Sequence, residues 1–392
     1  MPQSSSKTTM ISSSESTLYF PLEVCKGEVG KKVSISELPQ TVLCSSYNQL
    51  VISFCMEWQS TKNDFVVHTS GSTGIPKPIT LTRKQIQNSV SATAEALNLK
   101  QNERFLICLN TEYIAGKMML VRGMELDAEM VIVPPKRNPL EDFDEKMWFD
   151  FAAFVPMQLQ TILDETPEKI AILSQMKAII IGGAPVSYSL LKKIRSIKAL
   201  NRVPIYSTYG MSETVTHIAL KRLNGKNTGK GKNQISDTYK TLPNVKIKTD
   251  QRGCLIISAP HTLGKEIITN DLVNIKNDNE FEWLGRADFA INTGGVKVFP
   301  EKIERFIERA FYELDLQKRF FISSMPDEML GEKIILIIEG LPFAKKFENE
   351  LLQHLKTNLP AYHSPKQIFY LSEFLLTKTD KIDRKKCIEL IF

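Results

Sequence analysis

The sequence predicts an α/β fold: a large N-terminal unit on a mostly parallel sheet, followed by a small α+β unit. Three observations predict it. From Asp64 onward, short β-rich runs alternate with helical patterns, the arrangement in which crossover helices join parallel strands. After Lys221 the texture changes to strands with hairpin signals. A chain of 392 residues also exceeds what one core usually supports, so two units are expected.

Taken in order, residues 1–17 are rich in Ser and Thr and contain no arginine, no apolar core and no small-residue cleavage site. They read as a disordered extension, not a secretory signal or a transit peptide. Residues 18–58 mix short apolar runs with turn residues and define no element. Phe65-Val66-Val67 reads as a strand feeding the Gly-rich stretch 69–77. Thr82 with Gln85 three residues on makes a capping box, and Ile86, Val90 and Leu97 give the following helix its apolar face. Further strands are expected at 105–108, 130–133, 178–181 and 205–208, with a helix over 186–199.

Residues 224–232 form a Gly/Lys/Asn loop, followed by a strand at 245–248, a turn at 250–253 and a strand at 254–258. The last segment reads as a strand over 291–298 and a helix over 301–310, opened by Pro300 at a position that favours proline. Strands at 320–323 and 333–339 and a helix over 347–355 complete it. The boundary falls near 286–288, dividing the chain into 1–286 and 287–392. No internal repeat is present.

Composition narrows the function. A net charge of +6 is a mild excess, and no dense basic run interleaves with aromatics, so nucleic acid is not an expected partner. The six cysteines contain no CxxC pair and no nearby histidine, which fits buried thiols in a reducing compartment better than a zinc site or a disulfide framework. No apolar run reaches the length of a membrane span, and a cytoplasmic location is expected.

The chemistry begins at Thr69-Ser70-Gly71-Ser72-Thr73-Gly74-Ile75-Pro76-Lys77. Glycines let backbone N–H groups turn toward a polyphosphate, hydroxyls add donors, and the lysine neutralises charge. It is not a Walker loop, because Ile75-Pro76 separates Gly74 from Lys77. A generic Ser/Gly cluster would be a surface turn; in this order and after a strand, phosphate contact is the stronger reading.

The stretch resembles the phosphate loop of the adenylate-forming superfamily of acyl-CoA synthetases, peptide-synthetase adenylation domains and luciferases. Four further signatures follow in family order. Thr208-Tyr209-Gly210-Met211-Ser212-Glu213-Thr214 resembles the second. The resemblance lays Tyr209 along adenine, gives Ser212 the α-phosphate, and gives Glu213 the Mg²⁺ that accompanies ATP; Thr208, Gly210 and Met211 belong to the same ATP site. Ser212 stands where the family usually has Thr, and the hydroxyl is kept. Gly182-Gly183-Ala184-Pro185 resembles the segment bordering adenine and the acyl group, with Gly182 on the acyl side.

Asp271 resembles the ribose-binding aspartate, and Arg286 the arginine that joins it. The run from Gly285 through Lys297 is similar to the interdomain signature. It implies a hinge at Asp288, a coenzyme A passage past Gly294 and Gly295, and a basic group, Lys297, near the site. Residues 377–384 resemble the C-terminal signature that delivers the adenylation lysine, Lys381. Two departures stand there: Leu375 for the usual Pro, and Asp380 for the usual Gly. The resemblance implies catalytic roles for Lys381, Glu213 and Lys77, a mobile small unit, and ATP, Mg²⁺, an acid and coenzyme A as ligands.

The acid is read from a shorter likeness. Only about 65 residues precede the phosphate loop, as in the o-succinylbenzoate–CoA ligases of menaquinone biosynthesis, and residues 113–122, 181–185 and 209–220 resemble that group. It implies that Tyr113, Lys117 and Arg122 serve the acid pocket, with Arg122 meeting the carboxylate that is not activated. A second carboxylate in a closing pocket needs a cation, and the guanidinium fork suits it. On a straight helix Lys117 and Arg122 lie roughly 140° apart, which argues against one clamp. Two other readings remain open: a ligase of monoacids, in which Arg122 is not in the pocket, and a binding protein whose lysine loop has decayed.

Overall fold

The structure, a computed structural model, describes residues 17–25, 28–34, 46–68, 78–225, 237–377 and 382–392. In chain order the elements are β1 (Thr17–Cys25), β2 (Glu28–Ser34), α1 (Ser46–Gln59), β3 (Asp64–His68), β4 (Pro78–Thr82), α2 (Arg83–Leu97), β5 (Arg104–Ile107), α3 (Ile114–Glu125), β6 (Glu129–Ile132) and β7 (Phe151–Phe154). There follow α4 (Pro156–Glu165), α5 (Ile170–Leu173), β8 (Ala178–Ile181), α6 (Tyr188–Ser196), β9 (Ile205–Gly210), β10 (His217–Arg222), β11 (Thr238–Thr241), β12 (Lys246–Thr249), β13 (Cys254–Ser258), β14 (Ile267–Asn277) and β15 (Glu280–Arg286). The last segment holds β16 (Ile291–Thr293), β17 (Val296–Val298), α7 (Pro300–Glu313), β18 (Phe320–Asp327), β19 (Gly331–Glu339), α8 (Lys345–Asn358), β20 (Gln367–Leu371) and α9 (Arg384–Glu389).

Among the described residues, thirteen strands form one sheet in the order β12-β13-β14-β15-β11-β10-β9-β8-β7-β5-β6-β1-β2. From β1 through β6, β5, β7 and β8 to β9 every neighbour is parallel. The inner strands β5, β6, β7 and β8 have short, almost fully buried apolar sequences such as Ala178–Ile181, because helices cover both faces. One face carries a core with Phe105, Met119 and Phe281, the other a core with Phe149, Phe154 and Ile179. Past β9 the neighbours are antiparallel, so the sheet is mixed.

The turn from β9 to β10 is where the parallel order ends. Open α/β sheets place their ligands at the carboxyl ends of strands where the strand order changes, so this end marks the site to examine.

A second sheet, of β17, β16, β19, β18 and β20, has its own cores around Ile303, Leu336 and Leu355 on one face and Phe321 and Phe374 on the other. Pro300 opens α7, as its φ and missing N–H favour.

One detail differs from the sequence reading, and one strand goes beyond it. Residues 291–298 form a hairpin and not one strand, because Gly294 and Gly295 both take positive φ, 56° and 77°, as a tight two-residue turn requires. The Gly-rich stretch does not lead straight into α2: β4 intervenes and pairs antiparallel with β3, His68 opposite Pro78. Thr82 and Gln85 then cap α2 reciprocally, at 3.3 and 3.0 Å.

Thr17 begins β1, while residues 1–16 lie outside the described residues. The free thiols of Cys55, Cys108, Cys254 and Cys387 are buried. Among the described residues no helix is long and apolar enough to cross a membrane.

Candidate active site

The strand β9 ends at Gly210, where a side chain cannot fit. A Cβ there would stand 2.2 Å from the carbonyl oxygen of Thr216 and 2.4 Å from Cα of His217. The close approach lets the chain fold back through a short 3-10 turn, Ser212–Thr214, into β10. Thr214, fully buried, staples that turn: its hydroxyl donates to the carbonyls of Met211 and Thr216 and accepts from the Met211 N–H at 3.1 Å.

Val215 completes the reversal at φ 64°, ψ −61°, with the Thr216 N–H donating to the Thr214 carbonyl at 2.6 Å. This is a γ-turn of the rare positive-φ kind, imposed on a buried β-branched residue. Such backbone costs about 1–3 kcal/mol and persists where the surroundings over-determine it. Its effect is to present Ser212 and Glu213 outward and turn Thr216 and His217 inward. Glu213 is exposed and has no ion pair among the described residues, so its carboxylate is free for a hard cation.

Tyr209 points from the same strand end to Asp271 of β14, whose carboxylate collects three partners. The Tyr209 hydroxyl donates to Oδ2 at 2.7 Å, the Trp283 indole N–H donates to Oδ1 at 3.2 Å, and Arg286 Nε stands 3.9 Å from Oδ1. Burial, then the Asp271 charge, raises the Tyr209 phenol far above its usual pKa, so it is fixed as a donor. Its ring packs on Tyr239 and Phe281, with centroids 5.6 and 5.2 Å away. The structure thus brings Asp271, Arg286 and Tyr209 together. Trp283 is an addition that no motif marks: it comes from the neighbouring strand β15, opposite Val273, and only sheet register brings it in.

Gly182 and Gly183 follow β8, with the Gly182 N–H held by the Phe154 carbonyl at 3.1 Å and Thr208 Oγ1 donating to the Ile181 carbonyl at 3.2 Å. Gly183, Ala184 and Pro185 are exposed along the rim beside Thr208. This geometry suits a planar base lying between the β8 and β9 ends.

On the acid side, α3 is a helix as its spacing implies, and Lys117 and Arg122 go to different neighbours. Lys117 Nζ lies over the Phe54 ring of α1 at 5.4 Å from its centroid. Tyr113, at the start of the helix, is exposed. Arg122 is buried to 3% exposure, with one guanidinium N–H directed at Thr216 Oγ1, 3.5 Å away, and another at the Met119 sulfur. Its Nε has no hydrogen-bond partner among the described residues. Burial alone pulls its pKa down to about 10.

Asp288 lies in the 3-10 turn Ala287–Phe289, tied to Arg286 at 2.8 Å and to Asn270 at 3.3 Å. Gly294 and Gly295 form the β16–β17 turn, and Lys297 is exposed on β17. Thr69, Ser70, Gly71, Ser72, Thr73, Gly74, Lys77 and Lys381 lie outside the described residues. No group of three metal-ligating side chains occurs among the described residues. A lone exposed Glu213 instead fits a Mg²⁺ that arrives on a polyphosphate.

The sequence pattern of the family described as AMP-binding enzyme matches residues 13–256, more than half of the chain. The chain belongs to the AMP-binding enzyme family. It is an adenylate-forming ligase, of the AMP-forming kind that passes acids to coenzyme A or to carrier proteins.

A family structure from Dyadobacter fermentans, an acyl-CoA synthetase (AMP-forming)/AMP-acid ligase II-like protein, is 40% identical. The match covers 92% of this chain and 98% of that one, with a TM-score of 0.61. The 2-succinylbenzoate–CoA ligase of Lactococcus lactis subsp. lactis is 24% identical over 94% of this chain and 78% of its own length. The D-alanine–D-alanyl carrier protein ligase of Listeria monocytogenes is 25% identical over 83% and 70%. The o-succinylbenzoate coenzyme A synthetase of Bacillus subtilis, in complex with ATP and magnesium ion, shares the fold. It is 20% identical over 82% of this chain and 69% of that one, with a TM-score of 0.62.

Proposed function

We propose that this enzyme is an o-succinylbenzoate–CoA ligase of menaquinone biosynthesis, using ATP with Mg²⁺ and coenzyme A. The observation that carries the reading is Arg122: a buried guanidinium with, among the described residues, an unpartnered Nε and no carboxylate acting on it. An uncompensated buried charge is costly, on the order of several kcal/mol. The site therefore gains if the substrate itself brings the counter-charge. o-Succinylbenzoate does so, since one carboxylate is activated and the other keeps its charge.

The likeness to D-alanine ligases points elsewhere, and Arg122 argues against it. D-Alanine brings an ammonium and no second carboxylate, so it offers the buried guanidinium no counter-charge. A plain monoacid leaves Arg122 unpaired.

In the reaction, Asp271, oriented by Tyr209 and Trp283, holds the nucleotide's ribose, Tyr209 lies along its base, and Ser212 faces the α-phosphate. Glu213 would hold the Mg²⁺ that accompanies ATP, and the ion would supply charge that offsets the phosphates. Lys381 stabilises the charge that grows on phosphate oxygens in the transition state, an interaction that accelerates the step because it is stronger there than in the ground state. The test is AMP release with coenzyme A over a panel of diacids, monoacids and amino acids. Arg122→Ala is expected to lower kcat/KM for o-succinylbenzoate by about 100-fold, the scale of a lost charge-assisted bond, while the KM for ATP stays within about twofold. Normal turnover of o-succinylbenzoate by that variant would transfer the reading to a monoacid ligase.

A further inference from the structure

Beside the Ser212–Thr214 turn lies a polar seam that nucleotide binding does not use, and α2 is its spine. Gln85 Nε2 and Asn88 Nδ2 donate to the carbonyls of His261 and Pro260, at 3.3 and 2.8 Å, and so hold the short turn Pro260–Thr262 against the helix. Next along α2, Ser89 Oγ meets Thr216 Oγ1 at 2.8 Å, and Thr93 Oγ1 meets His217 Nε2 at 3.4 Å. Arg122 reaches the same Thr216 hydroxyl from α3. The Pro260–Thr262 turn also packs against Ser212–Thr214, so the seam adjoins the place where an acyl group meets the α-phosphate.

His261 has no exposed surface, and neither ring nitrogen has a hydrogen-bond partner among the described residues. His217 and Arg122 are 6% and 3% exposed. Buried polar groups are almost always paired in folded proteins, so an unpaired imidazole and an unpaired Nε, both within electrostatic reach of His217, call for an explanation. Each member is a donor, and a carboxylate supplies the acceptors, with about four lone-pair positions on two oxygens.

We propose that His261 and His217 are specificity-determining residues of the acid pocket, forming with Arg122 a receptacle for a second carboxylate that selects dicarboxylic acids. This rests on the reading of Arg122 as the partner of that carboxylate. The division of labour follows from charge. Burial holds His261 down to about 4, and burial with the neighbouring charges of Arg122 and His261 holds His217 well below the usual imidazole range. Both rings are therefore neutral near pH 7. Arg122 supplies the one positive charge, His261 offers one N–H donor, and His217 offers its Nδ1–H with Nε2 accepting from Thr93 Oγ1, neither ring adding repulsion. A monoacid leaves these donors unmet, and sites built to hydrogen-bond a group discriminate strongly against analogues that lack it.

The test compares o-succinylbenzoate with 4-oxo-4-phenylbutanoate, the same molecule without its ring carboxylate, in pyrophosphate exchange. His261→Leu is expected to lower kcat/KM for the diacid by about 10- to 100-fold, while the monoacid rate and the KM for ATP hold. His261→Gln, which keeps an N–H donor, recovers most of the loss, and His217→Gln shifts the diacid-to-monoacid ratio in the same direction by less. A parallel fall with both acids would falsify the proposal, leaving His261 as a packing residue; an unchanged ratio does the same. If the leucine variant does not fold, the ratio is scored on His261→Asn.

If the wild-type enzyme does not adenylate o-succinylbenzoate, the substrate reading fails by itself. The receptacle is then judged by calorimetric binding of phthalate against benzoate. A preference for phthalate that His261→Gln weakens keeps the proposal, and equal binding of the two overturns it.

Discussion

At Asp271 one carboxylate is gripped by a phenol, an indole and, more loosely, a guanidinium, and it is the group that would meet a ribose diol. Its orientation therefore depends on partners that do not touch the diol themselves. Trp283 is the informative one, since its indole N–H reaches Oδ1 at 3.2 Å while its ring lies 5.5 Å below the Arg305 guanidinium. Trp283→Phe keeps the ring and deletes the donor. A neutral hydrogen bond contributes about 1 kcal/mol net, so the KM for ATP should rise roughly three- to tenfold with the acid KM unchanged. An unaltered ATP KM would show that the indole only packs. Asp271, Tyr209 and Arg286 are legible in the sequence because each sits in a recognisable stretch. Trp283 and His261 are not: register across β14 and β15 brings in the first, and the packing of a short turn on α2 the second, and neither leaves a local pattern.

Among the elements, legibility follows the same logic. The strand β8 was read over its full extent because Ala178–Ile181 is a short apolar run between polar neighbours. The run Phe151–Phe154 is equally buried, yet β7 is not legible, since Phe-Ala-Ala-Phe holds two alanines and no β-branched residue, whereas β8 holds three isoleucines. The hairpin β16–β17 was read as one strand because its turn is two glycines inside β-rich sequence. That turn also bears on coenzyme A. Both glycines are required by the hairpin itself, so their presence alone says nothing of a thiol passage. They differ in surroundings, however: a Cβ on Gly294 would strike the Tyr362 ring at 2.6 Å, whereas one on Gly295 meets nothing within 4 Å. Asparagine tolerates positive φ, so Gly295→Asn should fold with a Tm within a few degrees of wild type. If coenzyme A passes this turn, the same variant should raise the KM for coenzyme A about tenfold and leave pyrophosphate exchange intact. An unchanged coenzyme A KM would place the passage elsewhere.

For the whole molecule the question is how one small unit can serve two half-reactions. Residues 287–392 carry both Lys381, assigned to adenylation, and the Gly294–Gly295 turn, assigned to thioester formation. The two stretches are more than eighty residues apart in sequence and are assigned to one active site, so a rigid unit would have to crowd both into it at once. The contacts that join this segment to the large unit include an edge-on ring pair, Tyr188 with Tyr312 at 5.4 Å, and several polar links. The Tyr188 N–H donates to Glu308 at 3.0 Å, Arg305 pairs with Asp237 at 2.8 Å, and the Arg286 N–H donates to Glu301 at 3.2 Å. Solvent-exposed pairs such as Arg305 with Asp237 contribute little each, so exchanging this set for another costs little. We propose that the segment rotates about Asp288, whose carboxylate ties Arg286 and Asn270 and whose backbone lies between β15 and β16. Hinges are single positions that absorb large φ/ψ changes, and proline removes that freedom at its own residue and restricts the one before. Asp288→Pro should therefore divide the half-reactions: pyrophosphate exchange stays within a few-fold of wild type, while thioester formation falls by about 100-fold or more. Lys381→Ala should give the opposite division, losing adenylation by on the order of 100-fold while acyl-adenylate supplied from outside is still transferred. Both variants are to be measured on single preparations for pyrophosphate exchange and for thioester. Thioester formed at the wild-type rate by Asp288→Pro would mean that the turn does not move, and equal losses in both half-reactions by Lys381→Ala would remove the lysine from the adenylation step.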